Sequence, residues 1–285
     1  MPGRPRVAAS GVVLVLFLGA CGGGDSGPDD PGPTAEEAVA EGIEALRLAN
    51  TAMFTTRIEF ADTTYADSGS YQLEPRGQQF TREAATASLG SYRIEAVGVG
   101  GAFYVKLPQS DDEPSDCWLA GDPQVLTNVT GAQVGEGAGE LPGVVFVAAG
   151  AVGSDFVEDP PDDGSVYVSG SVDLAQAAAL FSGRLPEQLG IASGDARVRA
   201  DFRIAESVLS GLRIDAAALN EAVATTPDAV SDQGKPVFPV DTVITATFDL
   251  PGFSVDIEAP PPDLIVEILG DQGQAEQDLA ACDEK

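Results

Sequence analysis

The side chains that could carry out chemistry in this chain are few. Its 285 residues include three cysteines and three lysines but no histidine. Without histidine the sequence offers no Ser-His-Asp triad, no histidine general base and no usual catalytic zinc site. A serine with a lysine is the remaining route, but Lys106 is predicted to point outward from a strand, and neither Lys235 nor Lys285 follows a Ser-x-x-Lys pattern. We therefore predict no catalytic residue and no enzymatic activity.

The acidic residues are plentiful, but their spacing does not match a metal site. The segment Asp155–Gly164 lacks the alternating ligand positions and the terminal glutamate of an EF-hand loop. The glycine run Gly135–Gly139 has neither a preceding hydrophobic strand nor a basic residue that would bind phosphate. We predict no metal and no cofactor, and we expect the acidic side chains of the proline-rich loops to be solvated. These side chains are Asp111, Asp112, Asp116, Glu158, Asp159, Asp162 and Asp163.

Cys21 has the clearest chemical setting of the three cysteines. It directly follows Leu18-Gly19-Ala20, which ends an apolar run that begins at Val12. Arg4 and Arg6 give the start of the chain a positive charge. This order of positive, apolar and small residues is that of an export signal.

The segment before Cys21 resembles a lipoprotein signal with a lipobox. That resemblance implies cleavage before Cys21, acylation of Cys21 with fatty acids such as palmitate, and an extracytoplasmic protein held by lipid on the outer face of the cell membrane. A transmembrane anchor is the alternative, but Val7–Leu18 is much shorter than the roughly 20 residues that span a bilayer. We therefore assign residues 1–20 to the signal peptide.

The mature chain would be strongly acidic. The full chain has a net charge of −30, and loss of Arg4 and Arg6 with the signal leaves −32. Such a surface repels phosphate backbones, so nucleic acid is excluded as a partner and attachment to the membrane depends on the lipid. Residues 22–33 are nearly all Gly, Asp, Ser and Pro, which bury too little apolar surface to fold. We assign residues 21–34 to a disordered membrane tether.

Two cysteines remain after Cys21. In an oxidising extracytoplasmic compartment, Cys117 and Cys282 are predicted to form a disulfide, although two unpaired thiols are the alternative. Closing a loop of this length contributes at most about 5 kcal/mol in the chain-entropy model. The disulfide would hold the C-terminal tail against the domain.

Residues 35–285 are predicted to form a single α+β domain. Thr34 and Glu37 form a capping-box pattern that begins a helix over residues 35–53, and a second helix is predicted from Asp173 to Phe181. The block from Leu119 to Gly153 carries little alternation and is predicted to be helical or loop-like. Elsewhere apolar residues alternate with polar ones, which is typical of an antiparallel sheet with one solvated face. The alternating strands are centred on residues 54–60, 71–73, 92–96, 103–107, 166–168, 198–204, 212–214, 243–250 and 253–257, with turns at Gly98–Gly101 and Ser210-Gly211.

Over residues 35–262 the chain resembles the LppX and LprG type of actinobacterial lipoproteins, which have a LolA-like fold. The resemblance is carried by the lipobox cysteine, the polar tether, the single helix, Tyr104-Val105, Cys117-Trp118-Leu119 and the ending Asp256-Ile257-Glu258-Ala259-Pro260-Pro261. It implies a curved antiparallel half-barrel whose concave face is covered by helices around a hydrophobic cavity. It also implies a monomer that carries or presents a lipid or lipoglycan and that works with a membrane transporter.

A lipid chain is held by apolar area, at about 25 cal/mol per Å², so no sequence signature is expected at such a site. The candidate cavity residues are inward positions of the predicted strands and of the apolar run 144–149, although a single residue of this kind is more often ordinary core than cavity wall. They are Ile58, Phe60, Phe80, Phe103, Val105, Val145, Phe146, Phe202, Ile204, Ile214 and Phe248. The alternative function is an envelope interaction or sensor module that grips a protein partner with its curved sheet.

Overall fold

The structure, a computed structural model, describes residues 32–60, 63–86, 90–106, 117–122, 125–126, 141–181, 184–194, 196–227, 229 and 237–268. The chain divides into the units Met1–Gly32 and Pro33–Lys285, and the second is a compact unit that contains every helix and strand given below. The predicted signal peptide, Cys21 and Cys282 lie outside the described residues.

The first helix, α1 (Ala35–Ala49), begins where the sequence predicts. Thr34 Oγ1 accepts a hydrogen bond from the Glu37 backbone N–H, and the Glu37 carboxylate accepts one from the Thr34 N–H, which forms the capping box. The helix ends earlier than predicted because Asn50 adopts a left-handed conformation, with φ of 66°. Met53, which was assigned to this helix, therefore lies in the first strand.

Twelve strands form one open, mostly antiparallel sheet. They are β1 (Thr51–Phe60), β2 (Thr63–Gln72), β3 (Gly77–Thr86), β4 (Gly90–Val99), β5 (Ala102–Lys106), β6 (Trp118–Ala120), β7 (Val152–Phe156), β8 (Val166–Asp173), β9 (Arg197–Ala205), β10 (Val208–Asp215), β11 (Val243–Asp249) and β12 (Ile265–Glu267). Their order across the sheet is β12-β6-β5-β4-β3-β2-β1-β11-β10-β9-β8-β7, and only the β6–β12 pair is parallel. The α+β class and the antiparallel sheet are thus confirmed.

Among the described residues, the other helices with defined bounds are short. They are α2 (Gly143–Ala149), α3 (Leu174–Ala179), α4 (Leu185–Gln188) and α5 (Ala216–Thr225), and a 3-10 turn covers Pro262–Leu264. Asp173 caps α3 as predicted, since its Oδ1 accepts a hydrogen bond from the Gln176 backbone N–H at 2.9 Å. Helix α5, which the sequence analysis did not predict, is capped in the same way by Asp215.

One face of the sheet is buried and the other is polar. In β9 the side chains of Val198, Phe202 and Ile204 are buried, whereas Arg199 and Asp201 on the opposite face are exposed. Helix α1 packs on the buried face, where Gly42 approaches the backbone of Leu209 and the side chain of Ile204. Apolar and polar residues therefore alternate in the sequence because helices cover one face of the sheet and leave the other exposed.

Two predicted elements were wrong. Ser210 and Gly211 lie inside β10, and the chain reverses instead at Glu206 and Ser207, both with positive φ. Residues 253–257 are not a strand, because they leave the sheet after β11 and cross its polar face.

This crossing segment, residues 250–264, is called the C-terminal strap below. It is fixed at its start by Thr51, whose hydroxyl donates to the Phe253 carbonyl at 2.6 Å and whose carbonyl accepts from the Gly252 N–H at 2.8 Å. It then runs over Ser70 and Val97, which are buried although they point to the outer face. The strap delivers the chain to β12 at the far edge of the sheet.

Candidate functional site

A pocket of about 270 Å³ lies between the buried face of the sheet and helices α2 and α3. Most of its lining is apolar, with polar side chains confined to the sheet and to one position of α3. The sheet contributes Phe54, Thr56, Ile58, Asp67, Gln78, Phe80 and Arg82, and the helical side contributes Pro142, Gly143, Val144, Phe146, Gln176, Ala179 and Leu180.

Strand register explains why the sheet residues meet. Paired residues of neighbouring antiparallel strands point to the same face. Thr56 pairs with Asp67, and Asp67 pairs with Arg82, so these three side chains form one row across β1, β2 and β3. The neighbouring row contains Phe54, Gly69 and Phe80.

Gly69 lets the two aromatic rings of its row approach each other. A Cβ on Gly69 would lie 2.0 Å from the Gln79 carbonyl oxygen and 2.6 Å from the Phe80 Cα. With no side chain between them, the Phe54 and Phe80 rings meet at a centroid distance of 6.3 Å. The two rings form an apolar wall beside the polar row.

Asp67 and Arg82 form a buried bidentate ion pair. Arg82 Nε donates to Asp67 Oδ1 at 2.6 Å, and Arg82 Nη2 donates to Asp67 Oδ2 at 2.7 Å. Only 11% and 14% of the Arg82 and Asp67 side chains are exposed. The guanidinium carbon also lies 5.8 Å from the centre of the Tyr65 ring and 5.9 Å from that of Phe80.

The charge on Arg82 survives this burial. Burial is the largest influence and lowers the pKa of Arg82, but the charge and hydrogen bonds of Asp67, together with Tyr92 and Tyr65, raise it, and the net shift of this pKa is upward. A guanidinium is therefore held in its charged form against the wall of a largely apolar pocket.

Two amide side chains complete the polar lining. Gln78 lies in β3 two residues before Phe80 and is almost fully buried. Gln176 reaches the pocket from α3, and its Oε1 is buried without a hydrogen-bond partner among the described residues. An unsatisfied buried acceptor is unusual in a folded protein and calls for a physical explanation.

Three of the predicted cavity residues, Ile58, Phe80 and Phe146, line this pocket. Phe60 is half-buried and contacts Phe181, with 5.4 Å between the ring centroids. Val145 packs against the core from α2. The other six lie in the hydrophobic core away from the pocket lining: Phe103, Val105, Phe202, Ile204, Ile214 and Phe248.

The polar residues of the pocket were missed by the sequence analysis. Arg82 has the same parity as Phe80 in β3, so strand alternation was a signal that could have placed it inward. Asp67 carried no such signal, because the predicted strand began only at Tyr71 whereas β2 begins at Thr63.

Of the other residues that the sequence analysis considered for their chemistry, Lys106 and Asp163 contact neighbouring side chains. The Lys106 ammonium lies 5.9 Å from the centre of the Trp118 ring. The Asp163 carboxylate accepts hydrogen bonds from the Ser165 N–H, the Tyr167 hydroxyl and Arg203, and these bonds lower the pKa of Asp163. Asp111, Asp112, Asp116, Lys235 and Lys285 lie outside the described residues.

Cys117 is buried directly before β6, while its predicted partner Cys282 lies outside the described residues, so the disulfide stays a prediction. Within the described ranges, no group of three or more His, Cys, Asp or Glu side chains could hold a metal ion. None of the helices in the part of the chain that the structure describes is long and apolar enough to cross a membrane.

A second, shallower groove of about 760 Å³ lies on the opposite face of the sheet, under the C-terminal strap. Ser70, Gln79 and Glu95 form part of its floor, and Val255 and Pro260 form part of its strap wall. It is more open and more polar than the pocket on the buried face.

No protein-family model matches the chain, and no curated protein matches it. What the pocket can hold is therefore judged from its own residues.

Proposed function

We propose that this protein is a cell-envelope lipoprotein that binds the acyl part of a lipid or lipoglycan and carries or presents it without catalysis. The binding site is the pocket between the sheet and helices α2 and α3. In this proposal the open sheet is a curved half-barrel, and the pocket is the part of its hydrophobic cavity that accepts the ligand. Cys21, acylated, anchors the protein to the outer face of the membrane, and a membrane transporter is a partner that exchanges the ligand.

The observation that carries the proposal is the pocket itself. Its walls include Phe54, Phe80, Val144 and Leu180, which offer hydrocarbon contacts from both the sheet and the helices. Each CH₂ group moved from water into such surroundings contributes about 0.8 kcal/mol. The volume of about 270 Å³ lies just below the roughly 300–1,000 Å³ of typical ligand pockets. This size favours one acyl chain at a time.

The mouth of the pocket has an exposed aromatic residue. Phe146 lines the pocket from α2, yet 43% of it is exposed. An exposed Phe at the rim of an apolar pocket gives an incoming hydrocarbon chain its first contact. This placement supports entry of the ligand beside α2.

A protein-binding envelope module is the second candidate, and the groove under the C-terminal strap is the observation that favours it. The buried face of the sheet is covered by helices, so a protein partner would bind the outer face. The groove of about 760 Å³ lies there, bordered by Met53, Trp118 and Phe253.

The first test is to identify what the folded protein holds. The compact unit Pro33–Lys285, expressed without Cys21 in a lipid-rich host, is analysed by native mass spectrometry, and its organic extract is analysed by denaturing mass spectrometry. We expect a stoichiometric lipid. A folded protein with a clean ligand-free mass would argue against the lipid carrier and for the protein-binding module.

A pair of variants localises the ligand. Ala179→Phe places a ring into the pocket, whereas Ala224→Phe places the same ring on the exposed face of α5. We expect Ala179→Phe to lose the lipid and to weaken binding of the apolar dye phenylnaphthylamine by about tenfold or more. The new ring occupies the space in which the ligand would make its hydrocarbon contacts. Ala224→Phe should bind like the unchanged protein. Equal binding by both variants would place the lipid elsewhere.

A further inference from the structure

Most polar side chains of the pocket lie on its sheet wall. Thr56, Asp67 and Arg82 occupy a single row of paired strand positions, and Gln78 lies two residues along β3 on the same face. Gln176 adds an amide from α3 to the same pocket. The rest of the lining is hydrocarbon. The pocket therefore has a polar subsite as well as an apolar wall.

From this arrangement we propose that the subsite binds the hydroxyl groups of an uncharged acyl lipid, such as a monoacylglycerol or the acylated sugar of a glycolipid, in preference to a fatty-acid carboxylate. Asp67 and Arg82 are its specificity-determining residues. The inference rests on the proposed function, because it concerns the same pocket and names the class of ligand that fits it.

The subsite holds one positive and one negative side chain next to each other. Both oxygens of Asp67 accept hydrogen bonds from Arg82, at 2.6 and 2.7 Å, so the pair is neutral as a whole. A ligand carboxylate or phosphate that approached Arg82 would also lie against the Asp67 carboxylate. Like charges repel strongly where little water screens them. An anionic headgroup is therefore disfavoured.

The subsite keeps unused hydrogen-bond acceptor positions. A carboxylate has about four lone-pair positions, of which Arg82 uses two on Asp67. The remaining positions on Asp67 can accept a hydrogen bond from a ligand. A hydroxyl supplies a donor, whereas an ionised fatty acid supplies only acceptors.

The subsite lies beside the apolar wall formed by the Phe54 and Phe80 rings. Phe80 lies between Gln78 and Arg82 in β3, and its ring lies 5.9 Å from the Arg82 guanidinium carbon. A ligand whose hydroxyl groups reach Asp67 can therefore keep its acyl chain against Phe80 and Phe54. The geometry suits a molecule in which the hydroxyl groups are directly attached to the acyl ester.

The test compares three ligands with the same chain at neutral pH: monodecanoylglycerol, methyl decanoate and decanoate. Binding to Pro33–Lys285 is measured by isothermal titration calorimetry. Hydrogen bonds to a charged group make the glycerol ester bind about 10- to 100-fold more tightly than the methyl ester. Decanoate should bind no better than the methyl ester.

Two variants assign this preference to residues. The paired replacement Asp67→Leu with Arg82→Met removes the ion pair without leaving a single buried charge, and it should abolish the preference. Gln176→Leu is the control, because Gln176 Oε1 is buried out of reach of a ligand, and this variant should keep the preference. If the paired variant does not fold, the comparison of the three ligands on the unchanged protein still tests the subsite.

The outcomes separate the two proposals. Tighter binding of decanoate, or equal binding of the glycerol and methyl esters, would overturn the hydroxyl subsite and leave acyl binding intact. A folded paired variant that keeps the full preference would remove Asp67 and Arg82 from the subsite and overturn their assignment. If none of the three ligands binds, the lipid-binding function itself is wrong.

Discussion

At the scale of single residues, the Asp67–Arg82 pair determines both the stability and the polarity of the pocket. Taking two charges out of water is costly, and the attraction between them repays that cost only when both partners are present. The pair has the bidentate geometry in which a guanidinium and a carboxylate attract each other most strongly.

We expect Asp67→Ala to lower the free energy of unfolding by about 3–5 kcal/mol, because the Arg82 charge loses its compensating carboxylate in a buried setting. Urea denaturation followed by circular dichroism measures this change. The paired variant Asp67→Leu with Arg82→Met is the control, and its stability should be close to that of the unchanged protein. A small effect of Asp67→Ala would show that the pair is solvated.

In contrast to the paired side chains Asp67 and Arg82, Tyr71 has a buried hydroxyl without a hydrogen-bond partner among the described residues. Its ring packs against Phe54 and Phe248, with centroid distances of 6.3 and 6.4 Å. Burial raises the pKa of Tyr71 far above its usual range.

Replacement of Tyr71 by Phe keeps the ring contacts and removes the unsatisfied hydroxyl. We expect Tyr71→Phe to raise the free energy of unfolding by about 1 kcal/mol. Tyr167→Phe is the matched control, because the Tyr167 hydroxyl donates to Asp163 Oδ2 at 3.0 Å, and this variant should gain no stability. A loss of stability in Tyr71→Phe would mean that the hydroxyl is hydrogen-bonded.

At the scale of elements, alternation predicted the strands whose inward residues are all apolar. In β9 and β11 the buried positions Phe202, Ile204, Ile244 and Phe248 alternate with polar ones, and the sheet positions follow directly. In β3 the inward positions include Gln78 and Arg82, so the polarity pattern does not distinguish the two faces. Strand β3, which the sequence analysis missed, is therefore the element that supplies Gln78 and Arg82 to the polar part of the pocket.

Turns and crossing segments were harder to predict for a different reason. Ser210-Gly211 has the composition of a turn but lies inside β10, where Gly211 packs against the Arg203 side chain. The alternation of Phe253, Val255 and Ile257 is real, but these residues cover the outer face of the sheet and form no strand. Local sequence indicates a turn in the first place and a strand in the second, and in neither does it reveal what the segment packs against.

Helix α1 docks on the sheet through a glycine, and this contact can be tested. A Cβ on Gly153 of β7 would lie 2.2 Å from the Ala35 carbonyl oxygen and 3.0 Å from the Val39 side chain. We expect Gly153→Ala to lower the free energy of unfolding by about 1–3 kcal/mol, because the added methyl group pushes α1 away from β7.

Gly150→Ala is the control for this variant. The nearest atom to its Cβ is Gln176 Oε1 at 3.4 Å, and its φ of −93° is accessible to alanine. Its stability should stay within about 1 kcal/mol of the unchanged protein. Equal thermal melting of the two alanine variants would contradict the close packing of α1 on β7.

At the scale of the whole molecule, the C-terminal strap connects the centre of the sheet to its far edge. It leaves β11 beside β1, crosses the outer face and ends in β12, where Ile265 pairs with Trp118 of β6. The strap therefore couples the edge strands β5 and β6 to the middle of the sheet.

Two truncations of Pro33–Lys285 test this coupling. A chain that ends at Pro261 lacks β12, whereas a chain that ends at Ile268 retains it, and both lack Cys282. Trp118 is the single tryptophan, so its fluorescence reports on this edge. We expect a red-shifted emission and a lower melting temperature only for the shorter chain. Identical spectra would show that β12 does not cover Trp118.

The position of β1 also has a consequence for the order in which the protein folds. Among the described strands, only the β1–β11 and β6–β12 pairs join strands that are not consecutive in the chain. Hairpins between consecutive strands form quickly, whereas a pairing between distant segments must first close a long loop. The sheet wall of the pocket comes from β1 to β3, and its helical wall comes from residues 142–180. In stopped-flow refolding we therefore expect phenylnaphthylamine fluorescence to rise after the circular dichroism signal, since the pocket exists only once the two separately formed meanders have met along β1 and β11.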